Sequence, residues 1–272
     1  MIVAFQGERG AFSEEAAVAH FGEAVRPLAC RSFADVFEAA SSGRADYGIV
    51  PIENSLAGSI HQVYDLLLAH ELFIVGEVEI RISHQLLVLP GVKLADVRRV
   101  LSHPQALTQC QGTLARLLPK TELVPTYDTA GSAKLLAERG IRDAAAIASR
   151  RAAEIYGLVI LHECLEDNPE NYTRFLALAT SPVEPEGPAK TSLVFSVNNA
   201  PGVLYRCLGA FARRGIDLIK IESRPLKGKR WQYAFYVDFA GSAHEERCRE
   251  ALEELRGMAT FLRVLGTYPR TV

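Results

Sequence analysis

Residues 180–188 read Thr-Ser-Pro-Val-Glu-Pro-Glu-Gly-Pro, with three prolines within seven positions. Proline cannot continue a helix or a central strand, so this stretch predicts a stiff linker rather than part of a core. We therefore predict a domain boundary here. The first domain covers residues 1–180, the linker covers 181–189 and the second domain covers 190–272.

The chain before the linker alternates short apolar strands with helical stretches. Ile2 to Gln6 and Tyr47 to Val50 have strand patterns, whereas Ser13 to Phe21 and Gln105 to Leu118 have helical ones. This alternation is typical of an α/β domain built on a largely parallel sheet. Because two such sets of elements follow one another, we predict two α/β lobes with a ligand cleft between them.

The chain after the linker has a different pattern, in the order strand, helix, strand, strand, helix, strand. Val203 to Arg214 carries its apolar residues on one helical face, and Lys227-Gly228-Lys229 is expected to form a hairpin turn. The βαββαβ order predicts a ferredoxin-like sandwich. That fold by itself implies no particular function.

Composition narrows the classes of partner. The chain has 272 residues, of which 49% are apolar and 23% charged, which is enough for two cores. A formal charge of -2 without a basic tract argues against nucleic-acid binding, and no apolar run approaches the length of a membrane span. Five cysteines without a CxxC pair indicate neither a disulfide framework nor a metal site. We expect a soluble, cytoplasmic protein that binds small molecules.

Four clusters of polar side chains adjoin strand patterns of the first domain. They are Gly7 to Ser13, Val50 to Gly58, Leu101 to Cys110 and Asp167 to Leu178. Ligands of open α/β sheets bind beyond the carboxyl ends of the strands, so these clusters are candidate parts of one site. Each is also compatible with a hydrogen-bonded turn, and Ser13 is a candidate N-cap of the first helix.

The stretch Asn171-Tyr172-Thr173-Arg174-Phe175 resembles the Thr-Arg-Phe signature of prephenate dehydratases. Four motif blocks of that family's catalytic domain resemble, in order and spacing, Gly7 to Ala17, Val50 to Gly58, Ser102 to Gln111 and Asn168 to Leu178. Asn199-Ala200-Pro201-Gly202-Val203-Leu204-Tyr205 and Lys220-Ile221-Glu222-Ser223-Arg224-Pro225 likewise resemble the regulatory ACT domain of these enzymes. The resemblance implies a bilobal catalytic domain like that of periplasmic binding proteins, followed by a ferredoxin-like ACT domain.

The sequence departs from the family pattern at three positions. Glu8 stands where proline is usual, Ala11 where a hydroxyl residue is usual, and Ala57 where an acidic residue is common. No chorismate mutase helices precede Met1, so we expect a monofunctional enzyme.

The resemblance implies a carbon–oxygen lyase that converts prephenate to phenylpyruvate in L-phenylalanine biosynthesis. Carbon dioxide and water leave as the ring becomes aromatic, and the substrate carboxylate supplies the electrons. No base, metal or redox cofactor is therefore expected. The site must provide a proton or strong hydrogen bond for the departing hydroxyl, and fixed donors for two substrate carboxylates.

The same resemblance assigns roles to individual residues. Thr173 is expected at the leaving hydroxyl, with Glu53 as its partner and Asn54 beside them. Arg174 is expected either to clamp a carboxylate or to brace the lobes, and Phe175 to form a wall of the pocket. The remaining donor candidates for the substrate are Ser55, Ser102 and Gln109.

For the second domain, the resemblance implies an allosteric phenylalanine site between subunits. Its expected residues are Asn199, Ala200, Pro201, Gly202, Val203 and Leu204 at a helix start, with Glu222 and Ser223 from a neighbouring subunit. A homo-oligomer, dimer or tetramer, is expected. The resemblance leaves open whether the ACT domain inhibits, activates or only dimerises the enzyme.

Two other functions remain open from the sequence. Arogenate, which carries an amine where prephenate has a keto group, can replace prephenate as the substrate. A catalytically silent amino-acid sensor or solute-binding protein also suits a bilobal α/β domain, although the lack of a signal peptide counts against a periplasmic receptor.

Overall fold

The computed structural model describes residues 1–226, 228 and 231–270. Lys227 and Lys229, two residues of the expected hairpin turn, lie outside them. The chain divides into two compact units, the first formed by residues 1–60 and 78–175, the second by 61–77 together with the chain from 176 onward. In the described part of the chain, no helix is both long and apolar enough to cross a membrane.

The elements before the linker are β1 (Ile2–Gln6), α1 (Phe12–Phe21), β2 (Arg26–Cys30), α2 (Phe33–Ser41), β3 (Tyr47–Asn54), β4 (Gly58–Ser59), α3 (His61–Ala69), β5 (Phe73–Arg81), β6 (Gln85–Val88), β7 (Arg99–Ser102), α4 (Pro104–Gln109), α5 (Gln111–Leu117), β8 (Glu122–Pro125), α6 (Thr129–Arg139), β9 (Ala144–Ala148), α7 (Arg150–Tyr156), β10 (Val159–His162) and β11 (Tyr172–Ala179). The elements after it are β12 (Ala189–Ser196), α8 (Val203–Ala212), β13 (Leu218–Pro225), β14 (Tyr233–Ala240), α9 (Glu246–Met258) and β15 (Phe261–Pro269).

Two mixed sheets form the framework of the first unit. One has the strand order β2-β1-β3-β11-β5, with β4 paired to β3, and its β1 runs parallel to both β2 and β3. The other has the order β10-β6-β9-β7-β8, in which β7 is parallel to β8 and β9 while β6 is antiparallel to β9 and β10. The predicted pair of α/β lobes is confirmed, one lobe for each sheet.

The two sheets of this unit share one apolar core. Phe5 and Phe175 enter it from the first sheet, and Leu87 and Leu101 from the second. Successive side chains of a strand point to opposite faces, so Leu86 leaves this core and packs in another, between the second sheet and helices α4 and α5. Each lobe is thereby fixed against the other by buried apolar contacts.

Helix ends in the second lobe follow ordinary capping chemistry. Asp128 caps α6 by accepting the N–H of Gly131, and Gly140 ends the helix with φ of 61°. Ser149 caps α7 by accepting the N–H of Ala152 at 3.0 Å, and its hydroxyl also donates to the Gly10 carbonyl at 2.7 Å. The α7 cap therefore also ties the second lobe to the glycine turn after β1.

Two local predictions were wrong. The expected helix from Gln105 to Leu118 is two helices, because Cys110 has φ of -110° and ψ of 6°, which ends α4. Ser13 is not an N-cap, since α1 starts at Phe12 and Ala11 stands before it without a side-chain hydrogen bond.

The second unit contains the predicted βαββαβ order. Its strands form one antiparallel sheet, β13-β14-β12-β15, and α8 and α9 cover one face through Phe211 and Leu252. Residues 61–77 pack with this unit although they precede the linker in the chain. The Tyr236 hydroxyl donates to the Tyr64 carbonyl at 2.7 Å, and the Lys190 ammonium lies 2.7 Å from a Glu77 carboxylate oxygen.

Gly10 provides a test of the packing between the lobes. Its φ is +86°, and a Cβ there would lie 2.6 Å from the Cα of Ala152. Gly140 has a similar φ of +61° but nothing within 4 Å of its Cβ position. We expect Gly140→Ala to cost about 1 to 2 kcal/mol through the backbone alone. Gly10→Ala should cost about 1 to 3 kcal/mol more through overlap.

Urea unfolding of the two variants measures this difference in free energy. An equal loss in both variants would show that α7 does not limit the space at Gly10.

Candidate active site

Asn54, the last residue of β3, contacts three groups at the start of β11. Its Nδ2 lies 2.8 Å from Asn171 Oδ1, 2.9 Å from the Tyr172 carbonyl oxygen and 3.0 Å from Thr173 Oγ1. These contacts form because β3 and β11 are neighbours in the first sheet. The structure thus brings together two of the three expected catalytic residues, Asn54 and Thr173.

The orientation of the Asn54 carboxamide is fixed by the backbone. Its Oδ1 accepts the N–H groups of Leu56 at 3.1 Å and Ala57 at 2.9 Å, so its NH₂ group must face Thr173. The Thr173 oxygen is therefore an acceptor, and its own hydrogen has no acceptor among the described residues. Thr173 as a whole is only 7% exposed. A nearly buried hydroxyl with an unused hydrogen is suited to donate to a ligand.

Gln109, at the end of α4, joins the same group. Its Oε1 accepts from Asn171 Nδ2 at 3.1 Å, and its backbone carbonyl accepts the N–H of Asp167 at 2.8 Å. The Gln109 Nε2 group, in contrast, donates to no residue that the structure describes. It is a second donor whose orientation the Asn171 contact fixes.

Ser55 connects the two strand ends. Its hydroxyl donates to the Glu170 carbonyl at 2.8 Å and accepts the Tyr172 N–H at 2.9 Å, while its own N–H donates to the Tyr172 carbonyl at 2.8 Å. The hydroxyl hydrogen is thereby used within the protein. Ser55 holds the loop before Thr173, and only an acceptor position remains for a ligand.

Glu53 and Arg174 form an ion pair, with Arg174 Nη2 2.8 Å from Glu53 Oε1. Each directly adjoins a residue of the Asn54–Thr173 contact, and successive strand residues face opposite sides of a sheet. The ion pair therefore lies on the face opposite Thr173. This geometry does not bring Glu53 and Thr173 together as expected, and it makes Arg174 a brace between two strands of one sheet.

Two expected substrate contacts are buried within the protein. Ser102 has no exposed surface, and its hydroxyl donates to the Ile147 carbonyl at 2.7 Å. Phe175 is 2% exposed and belongs to the core shared by the two sheets. Phe175 lies two residues after Thr173 on the same face of β11, and the Phe175 side chain is not presented to a ligand in this conformation.

The glycine turn after β1 holds a carboxylate of the protein's own. The fully buried Glu14 accepts the Gly10 N–H at 2.6 Å and pairs with Arg9 at 2.9 Å and Arg151 at 3.3 Å. This turn is therefore structural, which is the simpler of its two interpretations.

Asn171 was missed as an individual site residue. It is fully buried, and it bridges Asn54 to Gln109 through both ends of its carboxamide. A buried carboxamide must be hydrogen-bonded at both ends, but the sequence gives no sign of that burial. Its position directly before a strand was the only signal.

Asp167 fixes the loop that carries Asn171. Its carboxylate accepts the N–H groups of Gly112 and Thr113, both at 2.7 Å, at the start of α5. Burial raises the pKa of Asp167, but these donors outweigh burial and hold the pKa below its usual value.

The cysteines are all free, with four buried and Cys164 exposed. Within the described residues, no group of three or more His, Cys, Asp or Glu side chains is placed to hold a metal ion.

The second unit contains a separate cavity of about 240 Å³ at the start of α8. Its lining includes five residues expected at the effector site, namely Asn199, Ala200, Gly202, Val203 and Leu204. Four aromatic residues, Tyr205, Trp231, Tyr233 and Phe235, also line it, together with Val197 and Gln232. Pro201, Glu222 and Ser223 are not in the lining, and Glu222 lies 3.4 Å from the His61 ring nitrogen.

An α/β domain with oriented hydroxyl and amide donors, joined to a βαββαβ domain with its own cavity, is the architecture of a protein that binds small molecules in two domains. The family model for prephenate dehydratase matches residues 3–183, and that for the ACT domain matches residues 191–257. The chain belongs to the prephenate dehydratase family and is an enzyme of the dehydratase type with a C-terminal ACT domain.

Individual relatives agree with this assignment. The chain is 49% identical, over 98% of its length and 72% of the relative's, to an arogenate dehydratase/prephenate dehydratase of Arabidopsis thaliana. A prephenate dehydratase from Arthrobacter aurescens, solved in complex with L-Phe, has a TM-score of 0.91 at 34% identity, covering 99% of this chain and 90% of that one. A protein described as a novel type of quorum-quenching acylase has the same TM-score at 38% identity, covering 100% and 98%.

Ser102 allows a sharp test of its expected substrate contact. Because its hydroxyl is buried on the Ile147 carbonyl, we expect Ser102→Ala to leave kcat and KM of the dehydratase within about twofold and to cost about 1 kcal/mol of stability. Steady-state kinetics and urea unfolding of the same preparation measure both quantities. A large fall in kcat/KM with unchanged stability would show that Ser102 contacts the substrate.

Proposed function

We propose that the protein is a carbon–oxygen lyase that converts prephenate to phenylpyruvate with loss of carbon dioxide and water. The observation that carries the proposal is the pair of oriented donors, the Thr173 hydroxyl and the Gln109 Nε2 group. As the carboxylate leaves, its bonding electrons enter the ring and the ring hydroxyl departs. That hydroxyl needs a donor, and the keto-acid side chain needs another.

Thr173 is the proposed donor to the departing hydroxyl. The Asn54 NH₂ group donates a hydrogen bond to the Thr173 oxygen, so the hydrogen of the Thr173 hydroxyl points away from Asn54. A threonine hydroxyl is too weak an acid to protonate hydroxide alone, so we propose that it relays a proton or orients the leaving group. Gln109 Nε2 is the proposed donor to a substrate carboxylate. Ser55 and Asn54 hold the loops that carry these donors.

A second candidate substrate is arogenate, because several relatives that are 44 to 49% identical to this chain carry the name arogenate dehydratase. Arogenate differs from prephenate by an amine in place of the side-chain keto group. The proposed donors serve the carboxylates and the ring hydroxyl, which the two compounds share. Kinetics on both compounds must therefore decide between them.

The test compares turnover of prephenate and arogenate by the parent enzyme and by two variants of Thr173. We expect conversion of prephenate to phenylpyruvate. Thr173→Ala should lower kcat by about a hundredfold or more with KM within a few-fold, since it removes a transition-state contact. Thr173→Ser, which keeps the hydroxyl, is the matched control and should retain much of the rate.

Each other outcome contradicts part of the proposal. Near-normal kcat in Thr173→Ala would remove Thr173 from the reaction, and turnover of arogenate alone would make the protein an arogenate dehydratase. Turnover of neither would favour a silent sensor. Hydrolysis of an acylated amine is assayed in parallel because of the acylase relative, and that activity alone would replace the proposal.

We propose further that L-phenylalanine regulates the enzyme through the cavity of the second unit, in a homo-oligomer. Support comes from the relative solved with L-Phe and from the cavity at the start of α8, whose first backbone N–H groups suit a carboxylate. Its aromatic wall suits a phenyl ring. Exposed apolar residues on β13, Ile219 and Ile221, support a subunit contact that would bring Glu222 and Ser223 of one protomer to its partner.

Calorimetric titration of the full chain with phenylalanine tests the effector site. Gly202 lines the cavity with φ of +74°, and Gly215, beyond the other end of α8, has φ of +63° with nothing near its Cβ position. Gly202→Leu should therefore abolish binding by filling the cavity, whereas Gly215→Leu carries similar backbone strain and should preserve it. No binding to the parent, or equal binding in both variants, would reject this site.

A further inference from the structure

His84 is a buried histidine just before β6 to which no role has yet been assigned. Its backbone N–H donates to Glu166 Oε2 at 2.8 Å, and its carbonyl accepts the Leu165 N–H at 2.8 Å. Its ring meets the Phe12 ring edge to face, with centroids 5.6 Å apart. The position of the imidazole is therefore fixed from the backbone and from one side of the ring.

The ring reaches the active site through Gln109, since His84 Nε2 lies 3.0 Å from Gln109 Oε1. The orientation of that amide follows from a chain of contacts. The backbone fixes Asn54, the Asn54 NH₂ group fixes Asn171 Oδ1, and the Asn171 NH₂ group then faces Gln109 Oε1. Each step leaves a single assignment of oxygen and nitrogen, so Gln109 presents its oxygen to His84.

This assignment determines the tautomer of His84. An amide oxygen can only accept, so Nε2 must carry the hydrogen. Nδ1 is buried and has no partner among the described residues. A hydrogen on Nδ1 would add a buried, unpaired donor and, with Nε2–H also present, a buried charge. Burial holds the pKa of His84 below its usual value, because it outweighs the Gln109 hydrogen bond and the Glu166 charge, which both raise the pKa.

We propose that His84, as the neutral Nε2–H tautomer, is a positioning residue that holds the Gln109 carboxamide with its NH₂ group toward the substrate. Without His84, Asn171 is the remaining described donor to Gln109 Oε1, and the carboxamide can rotate about its terminal bond. The inference deepens the proposed function and rests on it. His84 itself touches no reacting atom and acts through Gln109.

Three variants separate positioning from packing. His84→Gln can place an N–H group near the position of Nε2, whereas His84→Asn is too short to reach Gln109, and His84→Leu fills the space without a donor. We expect kcat to fall about tenfold to a hundredfold in the Leu and Asn variants, since small misplacements at a reacting centre cost that much. His84→Gln should keep a kcat close to that of the parent. In all three variants, KM should stay within a few-fold of the parent value.

The Gln and Asn pair keeps the test decisive even where His84→Leu fails to fold. Equal kcat in these two variants, or parent kcat in His84→Asn, would overturn the proposal. A uniform fall in thermal stability with unchanged kcat would assign His84 to packing alone.

An independent readout needs no substrate, so it survives a failure of the proposed function. Nitrogen-15 NMR of histidine-labelled protein identifies His84 by the signal that the His84→Gln variant lacks. We expect a neutral ring with hydrogen on Nε2 at pH 8. A hydrogen on Nδ1, or an imidazolium at this pH, would overturn the assignment.

Discussion

The carboxamide of Asn54 is held at both ends, and the arrangement of the site follows from that constraint. The N–H groups of Leu56 and Ala57 take its oxygen, so its nitrogen faces the start of β11. Had the amide been free to turn, Thr173 would meet an oxygen as readily as a nitrogen, and its hydroxyl hydrogen would be consumed within the protein. A tight turn after β3 thus makes Thr173 a donor to whatever lies beyond it.

The fold supports that constraint from two directions. Ser55 joins the loop before Thr173 to the end of β3. Phe175, the next residue after Thr173 on the same face of β11, is buried in the core shared by both sheets and so anchors the strand. From the other lobe, Gln109 stands at the end of α4 where Cys110 interrupts the helix. The break that the sequence did not predict therefore ends α4 at the residue whose side chain enters the site.

The sequence identified Thr173, Asn54 and Gln109 because their polar side chains adjoin apolar strand and helix patterns. It grouped Glu53 with Thr173, although the alternation of strand faces was available as a rule, and it left a bracing role open for Arg174, whose ion pair with Glu53 joins two strands. The side chains of adjacent strand residues point to opposite faces of the sheet, whereas the motif treated them as one cluster. Asn171, Ser102 and His84 depend on burial and on contacts between lobes, which a single sequence does not contain.

The boundaries of the two units show that packing does not follow the order of the chain. The three prolines of residues 182–188 predict a boundary in the chain, but they carry no information about which earlier segment packs with the residues that follow. Residues 61–77 join the second unit through Tyr64 and Glu77, and Gly266 lets β15 approach Ile74 so closely that any side chain there would overlap its carbonyl. Removing the chain after residue 179 would therefore expose the packed face of α3 and leave Glu77 without its lysine. For this reason single substitutions, rather than truncation, can separate regulation from catalysis in this enzyme.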